Sequence, residues 1–246
     1  SSGLKTAAKI GTAAVGAAAA GITALTKSAV ENYAEYEQLV GGVETLFKSS
    51  SDTVVQYAQN AYKTAGMSAN EYMSTVTSFS ASLLQSLGGD TEKAAQYADM
   101  AITDMSDNAN KMGSGMESIQ TAYQGFAKQN YTMLDNLKLG YGGTASEMAR
   151  LIEDAEKLDS SFTAARDENG KLTMSYADVV DAIHIVQTNM GITGTTAKEA
   201  SSTIQGSVSS MKAAWDNLVT GLADDNADID ALLNDFVDSV FTVLDN

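Results

Sequence analysis

The sequence predicts an all-α protein, and three observations carry the prediction. The 246 residues include no proline, so nothing in the chain removes a backbone N–H or drives a ring into a preceding helical turn. Aromatics make up 7% and alanine is abundant, a balance that favours slender, closely packed helices over sheets. In the patterned segments, apolar residues recur at steps of three and four. With 44% hydrophobic residues the chain can bury a core and lies near the ordinary globular range.

Residues 4–48 read as one very long helix, jointed at Gly41-Gly42. Its first half, from Ile10 to Leu25, is an uncharged run of small residues, with Lys5 and Lys9 before it and Lys27 after it. The run is shorter than the ~20 residues a membrane span wants, and alanine and glycine gain little from hydrocarbon. Close packing of small helix faces is one reading of it. An interfacial or inserting segment, with Ile10, Val15, Ile22 and Leu25 in contact with a membrane, is a second, and a signal-type segment a third. From Ile22 the stripe continues through Leu25, Ala29, Tyr33, Tyr36, Val40, Val43 and Phe47.

Beyond residue 50 the punctuation is regular. A capping box pairs a Ser or Thr with the N–H three residues on, and an acid there bonds back. Ser68–Glu71, Ser114–Glu117, Thr144–Glu147 and Thr196–Glu199 fit that spacing, and Ser175–Asp178 is a shorter-armed variant. Glycines at 66, 88–89, 113, 140–143 and 191 stand where helices should stop. Together these signals place helices at about 51–65, 68–87, 91–111, 115–129, 145–158, 176–189, 197–222 and 227–244, most of them joined by short turns. One interval resists helix. Asn169-Gly170 is a tight-turn signal, and Leu172, Met174 and Tyr176 alternate after it, which predicts a small exposed β-hairpin within 162–176.

The last two helices are the most strongly patterned. Ile204, Val208, Met211, Trp215, Leu218 and Leu222 form a heptad seam suited to coiling against another helix. Ile229, Leu233, Phe236, Val237, Val240 and Phe241, with Leu232 and Leu244, make one apolar face beside a series of aspartates. This seam and this face are the candidate self-association residues. The organisation is thus an Ala/Gly-rich long helix (1–48), a helical core region (49–190) and amphipathic C-terminal helices (191–246). Ser1 in place of Met, and a helical pattern running to Asn246, suggest a piece of a longer chain.

Composition excludes several functions. Without cysteine there is no disulfide framework, thiol nucleophile or cysteine-ligated metal. A single histidine permits no multi-histidine metal site. The net charge of −16 repels phosphate backbones, so stable nucleic-acid binding is not expected. His184 stands beside an apolar seam, where it reads as a core-edge residue; catalysis there would need an orienting acid and a nucleophile. Asp224, Asn226 and Asp228 resemble the start of a calcium loop, but Ile229 replaces the turn glycine and Asp235 the terminal glutamate. They read better as an acidic helix start. Gly140 to Thr144 lacks the lysine and the preceding strand of a phosphate cradle and reads as a hinge or tight turn. No catalytic, metal or cofactor residue is assigned.

Three stretches carry a family resemblance. "GTAAVGAAAAGITALTKSAVENYAEYEQLVGGVETLFKSS", "VVQYAQNAYKTAGMSANEYM" and "NYTMLDNLKLGYGGTASEMARLIEDAEKL", continuing through "LTMSYADVVDAIHIVQTNMGITGTTAKEASSTIQGSVSSMKAAWDNLVTGL", resemble the core region of phage tail tape measure proteins. The likeness is to tailed phages and prophages of Gram-positive bacteria and covers roughly residues 10–222. It rests on extent and order, without a catalytic motif. The resemblance implies a structural, non-enzymatic role inside the tail tube of the virion, after assembly in the host cytoplasm. The implied partners are further copies of the chain along the tail axis, the tail-tube protein, distal tail and baseplate proteins, a tail-assembly chaperone and, during ejection, a host membrane. No cofactor is implied. The rival reading is a membrane-active helical protein, a pore former or translocated effector acting on the host envelope, motivated by residues 10–25 and the 229–244 face.

Overall fold

The computed structural model describes residues 18–246, with side chains from Leu25 onward, and all regular structure among them is helical. Helix α1 (Ala18–Phe47) leads through a 3-10 turn (Lys48–Ser50) into α2 (Ser51–Thr64). Then follow α3 (Ala69–Ser86), α4 (Thr91–Met112) and α5 (Met116–Phe126). A second 3-10 turn (Leu134–Leu137) precedes α6 (Ala145–Leu158) and α7 (Tyr176–Asn189). The chain closes with α8 (Thr195–Ser202), α9 (Ile204–Gly221) and α10 (Ile229–Asp245). Residues 4–17 of the expected first helix, Ile10 and Val15 among them, lie outside the described residues.

One core runs from Val43 to Ile192 and is centred on α4, which touches α1, α2, α3, α5, α7 and α8. The sequence of α4 explains this position. Ala94, Ala95, Ala98 and Ala101 are buried, so neighbouring helices approach closely, while Ile102 and Met105 fill the space between them. Fully buried Phe47, Tyr72, Tyr123 and Phe126 bring the largest side chains into that core. Each such burial stabilises by about 1.5–3 kcal/mol. The C-terminal pair packs separately: Val219 of α9 and Leu222 just after it meet Ala29 and Leu25, while Ala213 and Ala214 meet Tyr62 and Phe236.

Several expected boundaries hold and others move. At Ser68 the full capping box forms, Glu71 N–H donating to Ser68 Oγ and Ser68 N–H to Glu71 Oε2. Thr144 and Ser175 also cap their helices, and Gly66, Gly113 and Gly191 take the left-handed conformation after theirs. Helix α1 runs through Gly41-Gly42 without a joint. The Ser114–Glu117 box is absent because Gly115 occupies the cap position and Ser114 Oγ donates instead to the Asn136 carbonyl. Thr196 lies inside α8, capped by Gly194, so no box forms with Glu199. Helix α5 ends at Phe126 rather than 129, where Gln129 turns left-handed and Asn130 N–H closes onto the Gly125 carbonyl.

The expected single helix over 197–222 is two helices. Thr203 is extended and caps both, donating its hydroxyl to Glu199 O and accepting from Gly206 N–H. The chain doubles back so tightly that a Cβ on Gly206 would lie 2.4 Å from the Glu199 carbonyl. The predicted hairpin also reduces to a turn with one antiparallel bridge, Arg166 to Leu172. Asp167 gathers the N–H groups of Asn169 and Lys171, and Gly170 supplies the positive φ. No strand follows, because Ser175 caps α7 and draws Tyr176 into that helix, edge-on to Phe79.

Candidate functional site

Helix α9 is amphipathic in an unusual sense. Its small and polar residues face inward: Ser207, Ser210, Ala213, Ala214, Asn217 and Gly221 are buried against the body. Asn217 Oδ1 accepts from the Ala69 N–H at 2.8 Å, tying α9 to the start of α3. The heptad seam therefore turns away from the body over much of its length. Ile204 and Trp215 are exposed, Val208 and Met211 are half-buried, and only Leu218 and Leu222 at its C-terminal end are fully buried. Helix α10 lies back along α9. Trp215 and Phe236 pack with ring centroids 5.2 Å apart, and Leu232 fits over Gly221, where a Cβ would lie 2.4 Å from its methyl.

The α10 face divides between the chain's own core and solvent. Ile229, Phe236 and Val240 are half-buried, Ile229 against the Leu222 cluster and Phe236 against Tyr62. Leu233, Val237, Phe241 and Leu244 are exposed. Of the membrane candidates, the side chain of Leu25 packs with Ala29 and Leu222 inside the fold. The side chain of Ile22 lies outside the described set. Among the described residues, no helix is long and apolar enough to cross a membrane.

Beside α9 opens a polar groove of about 960 Å³ between α1, α3, α4, α5, α8 and α9. Glu35, Glu71, Glu117 and Asp216 line it among serines, threonines and asparagines, and among the described residues no lysine or arginine does. Among the described residues no cluster of acids or histidine has the spacing to hold a metal ion. Asp224 and Asp228 serve local structure: Asp224 accepts from Asn226 N–H, and Asp228 caps α10 by accepting from Ala231 N–H.

A buried polar network sits where α4 meets α7 and α8. His184 Nδ1 lies 3.0 and 2.9 Å from the two oxygens of buried Asp104. Burial raises the Asp104 carboxyl to about 6, with the His184 hydrogen bond pulling it back. That hydrogen bond in turn raises His184 above its ordinary value of 6.5, against desolvation, and the charges of Asp181 and Asp107 add to the rise. Asn108 Nδ2 donates to the Leu137 carbonyl and to Gln187 Oε1. Asp107, fully buried, accepts from the N–H groups of Gly194 and Thr196 at 2.6 and 2.7 Å and so caps α8 from another helix.

The orienting acid for His184 therefore exists, 80 residues away in sequence. Among the described residues no serine or threonine hydroxyl is hydrogen-bonded to the imidazole. Sequence reading missed Asp104, Asp107 and Asn108. The available signal was three polar residues on the stripe of α4 that otherwise carries Ala101 and Met105. Compared with protein-family models, curated proteins and solved structures, the chain matches none of them.

Proposed function

We propose that the chain is a helical segment of a phage tail tape measure protein. In this reading it sets tail length by templating tail-tube polymerisation and leaves the tail as DNA is ejected. The observation that carries the reading is the extent and order of the resembling stretches, over roughly residues 10–222. The all-helical fold is compatible with it, because a helix converts residue number into length at about 1.5 Å per residue. The acidity is compatible too, since a chain of charge −16 does not cling to DNA sliding past.

The proposed partners are further copies of the chain, the tail-tube protein, distal tail and baseplate proteins and an assembly chaperone. The body from Val43 to Ile192 would enter the ruler as one fixed unit, while the stretch of α1 before Leu25 would read out length turn by turn. The test is in-frame removal of the segment from the encoding phage. Missing tails, or tails shortened as a population, are expected; tails of normal length would overturn the reading. The membrane-active alternative rests on the run of small residues at 10–25 and on the exposed apolar residues of α10, and the aspartates beside the latter oppose contact with anionic lipid.

A further inference from the structure

The outward side of the α9–α10 pair is one continuous apolar strip. Ile204 is 62% exposed, Trp215 41%, Phe241 57% and Leu244 73%. The helices run antiparallel, since Asn246 Nδ2 reaches the Thr203 carbonyl at 3.5 Å while Trp215 packs on Phe236. The end of α10 thus lies beside the start of α9. Ile204, Val208, Met211 and Trp215 step by 4, 3 and 4, and Leu233, Val237, Phe241 and Leu244 by 4, 4 and 3. Two such ridges at helical spacing on one pair of helices make a face of the kind that packs against the apolar stripe of a third helix. At 17 residues, α10 gives the face room for about four turns of a helix.

Charge selects the occupant. Residues 213–246 carry eight acids and no base, and Lys212 is the single base from 204 onward. Among the described residues the ion pair made by α10 is Lys63 to Asp235 at 3.5 Å. A second copy docked on the strip would bring both sets of aspartates to one rim. Its apolar exposure, on the order of 500–600 Å², is a large patch for a monomer. A helix with an apolar stripe flanked by Lys and Arg satisfies both features at once: the stripe covers the ridges and the cations meet the aspartates.

We propose that the α9–α10 strip is a docking surface for a basic amphipathic helix of another protein. The proposal stands independently of the tape measure reading. Trp215, the only tryptophan, lies in the strip and reports occupancy directly. The probe is an 18-residue Leu/Lys amphipathic peptide titrated into the intact chain, with a Leu/Glu peptide of identical apolar face as its counterpart. The Leu/Lys peptide should shift Trp215 emission to the blue, saturably and at micromolar concentration. Phe241→Ser/Leu244→Ser, at exposed positions whose retained fold circular dichroism verifies, should abolish the shift. Asp238→Lys/Asp245→Lys should weaken it at least tenfold.

Three outcomes would overturn the proposal. A blue shift with both peptides alike would remove the charge argument. A Leu/Lys shift that survives Phe241→Ser/Leu244→Ser would mean general attraction to an acidic protein. A shift and doubled mass on concentrating the protein alone would assign the strip to a second copy.

Discussion

Replacing Asp107 by Asn tests the idea that α8 is held by a cap from another helix. Helix α8 has eight residues and buries none of them, so neither its length nor its own packing sustains it. Its first turn is fixed by the Asp107 carboxylate, with one oxygen 2.6 Å from Gly194 N–H and the other 2.7 Å from Thr196 N–H. Asparagine keeps one acceptor and sets an NH₂ group against the second N–H. One charge-assisted bond is lost and a buried donor is left facing another, a cost of about 2–4 kcal/mol. For a chain of this size that lowers Tm by roughly 5–10 °C. Thermal melts by circular dichroism measure the global cost, and hydrogen exchange at 194–203 measures local release of α8. A variant within about 0.5 kcal/mol of the parent, with unchanged exchange in that segment, would refute the reasoning.

Two further predictions concern packing and protons. Gly206→Ala places a methyl 2.4 Å from the backbone of Glu199 and should cost about 2 kcal/mol or more, whereas Gly221→Ala meets the movable tip of Leu232 and should cost under ~1 kcal/mol; equal urea midpoints would contradict this. Asp104, raised to about 6 from 3.8, and His184, raised above 6.5, both bind protons more tightly in the folded chain. Their contribution is therefore present at low pH and lost as pH rises through the folded values, so the urea midpoint should fall from about pH 4 to 6 as Asp104 ionises and again above 6.5 as His184 loses its proton. The double variant Asp104→Asn/His184→Gln should flatten that slope, and an unchanged slope would place its origin elsewhere. Glu147 and Glu156, held at about 2 by hydrogen bonds from Arg150 and Arg166, act in the opposite sense below 4.5 but lie at the surface, where solvent screening keeps the effect small.

The fold was legible wherever a local rule was enough. Proline absence, alanine content and capping spacing place α3, α4, α6 and α7 within a residue or two, because those helices begin and end through their own side chains. Errors arose where a distant group decides the local structure. The Thr196–Glu199 spacing satisfied the capping rule, yet the actual cap on α8 comes from Asp107, 89 residues away. The break at Thr203 was written in Ser201-Ser202-Thr203 and Gly206, but the apolar seam through Ile204 masked it. The seam itself pointed to coiling through its large residues, whereas α9 docks largely by its serines and alanines, with Leu218 buried near its end and Ile204 and Trp215 left to solvent. Periodicity identifies a face without saying which of two faces the body will bury. The Asp104–His184 pair required tertiary contact between α4 and α7, which a single sequence does not disclose.

The central claim, that helical residues in this chain count toward tail length, is tested most directly by insertion. Placing an alanine-rich helical insert just before Leu25 leaves the body from Val43 to Ile192 and the contacts of Ala29 with α9 in place. An insert of about 36 residues adds ten whole turns, keeps the helix in phase and extends it by about 54 Å. Tail lengths of the encoding phage, read by electron microscopy, should increase by that amount and double with two inserts. Fully assembled tails of unchanged length would contradict the account.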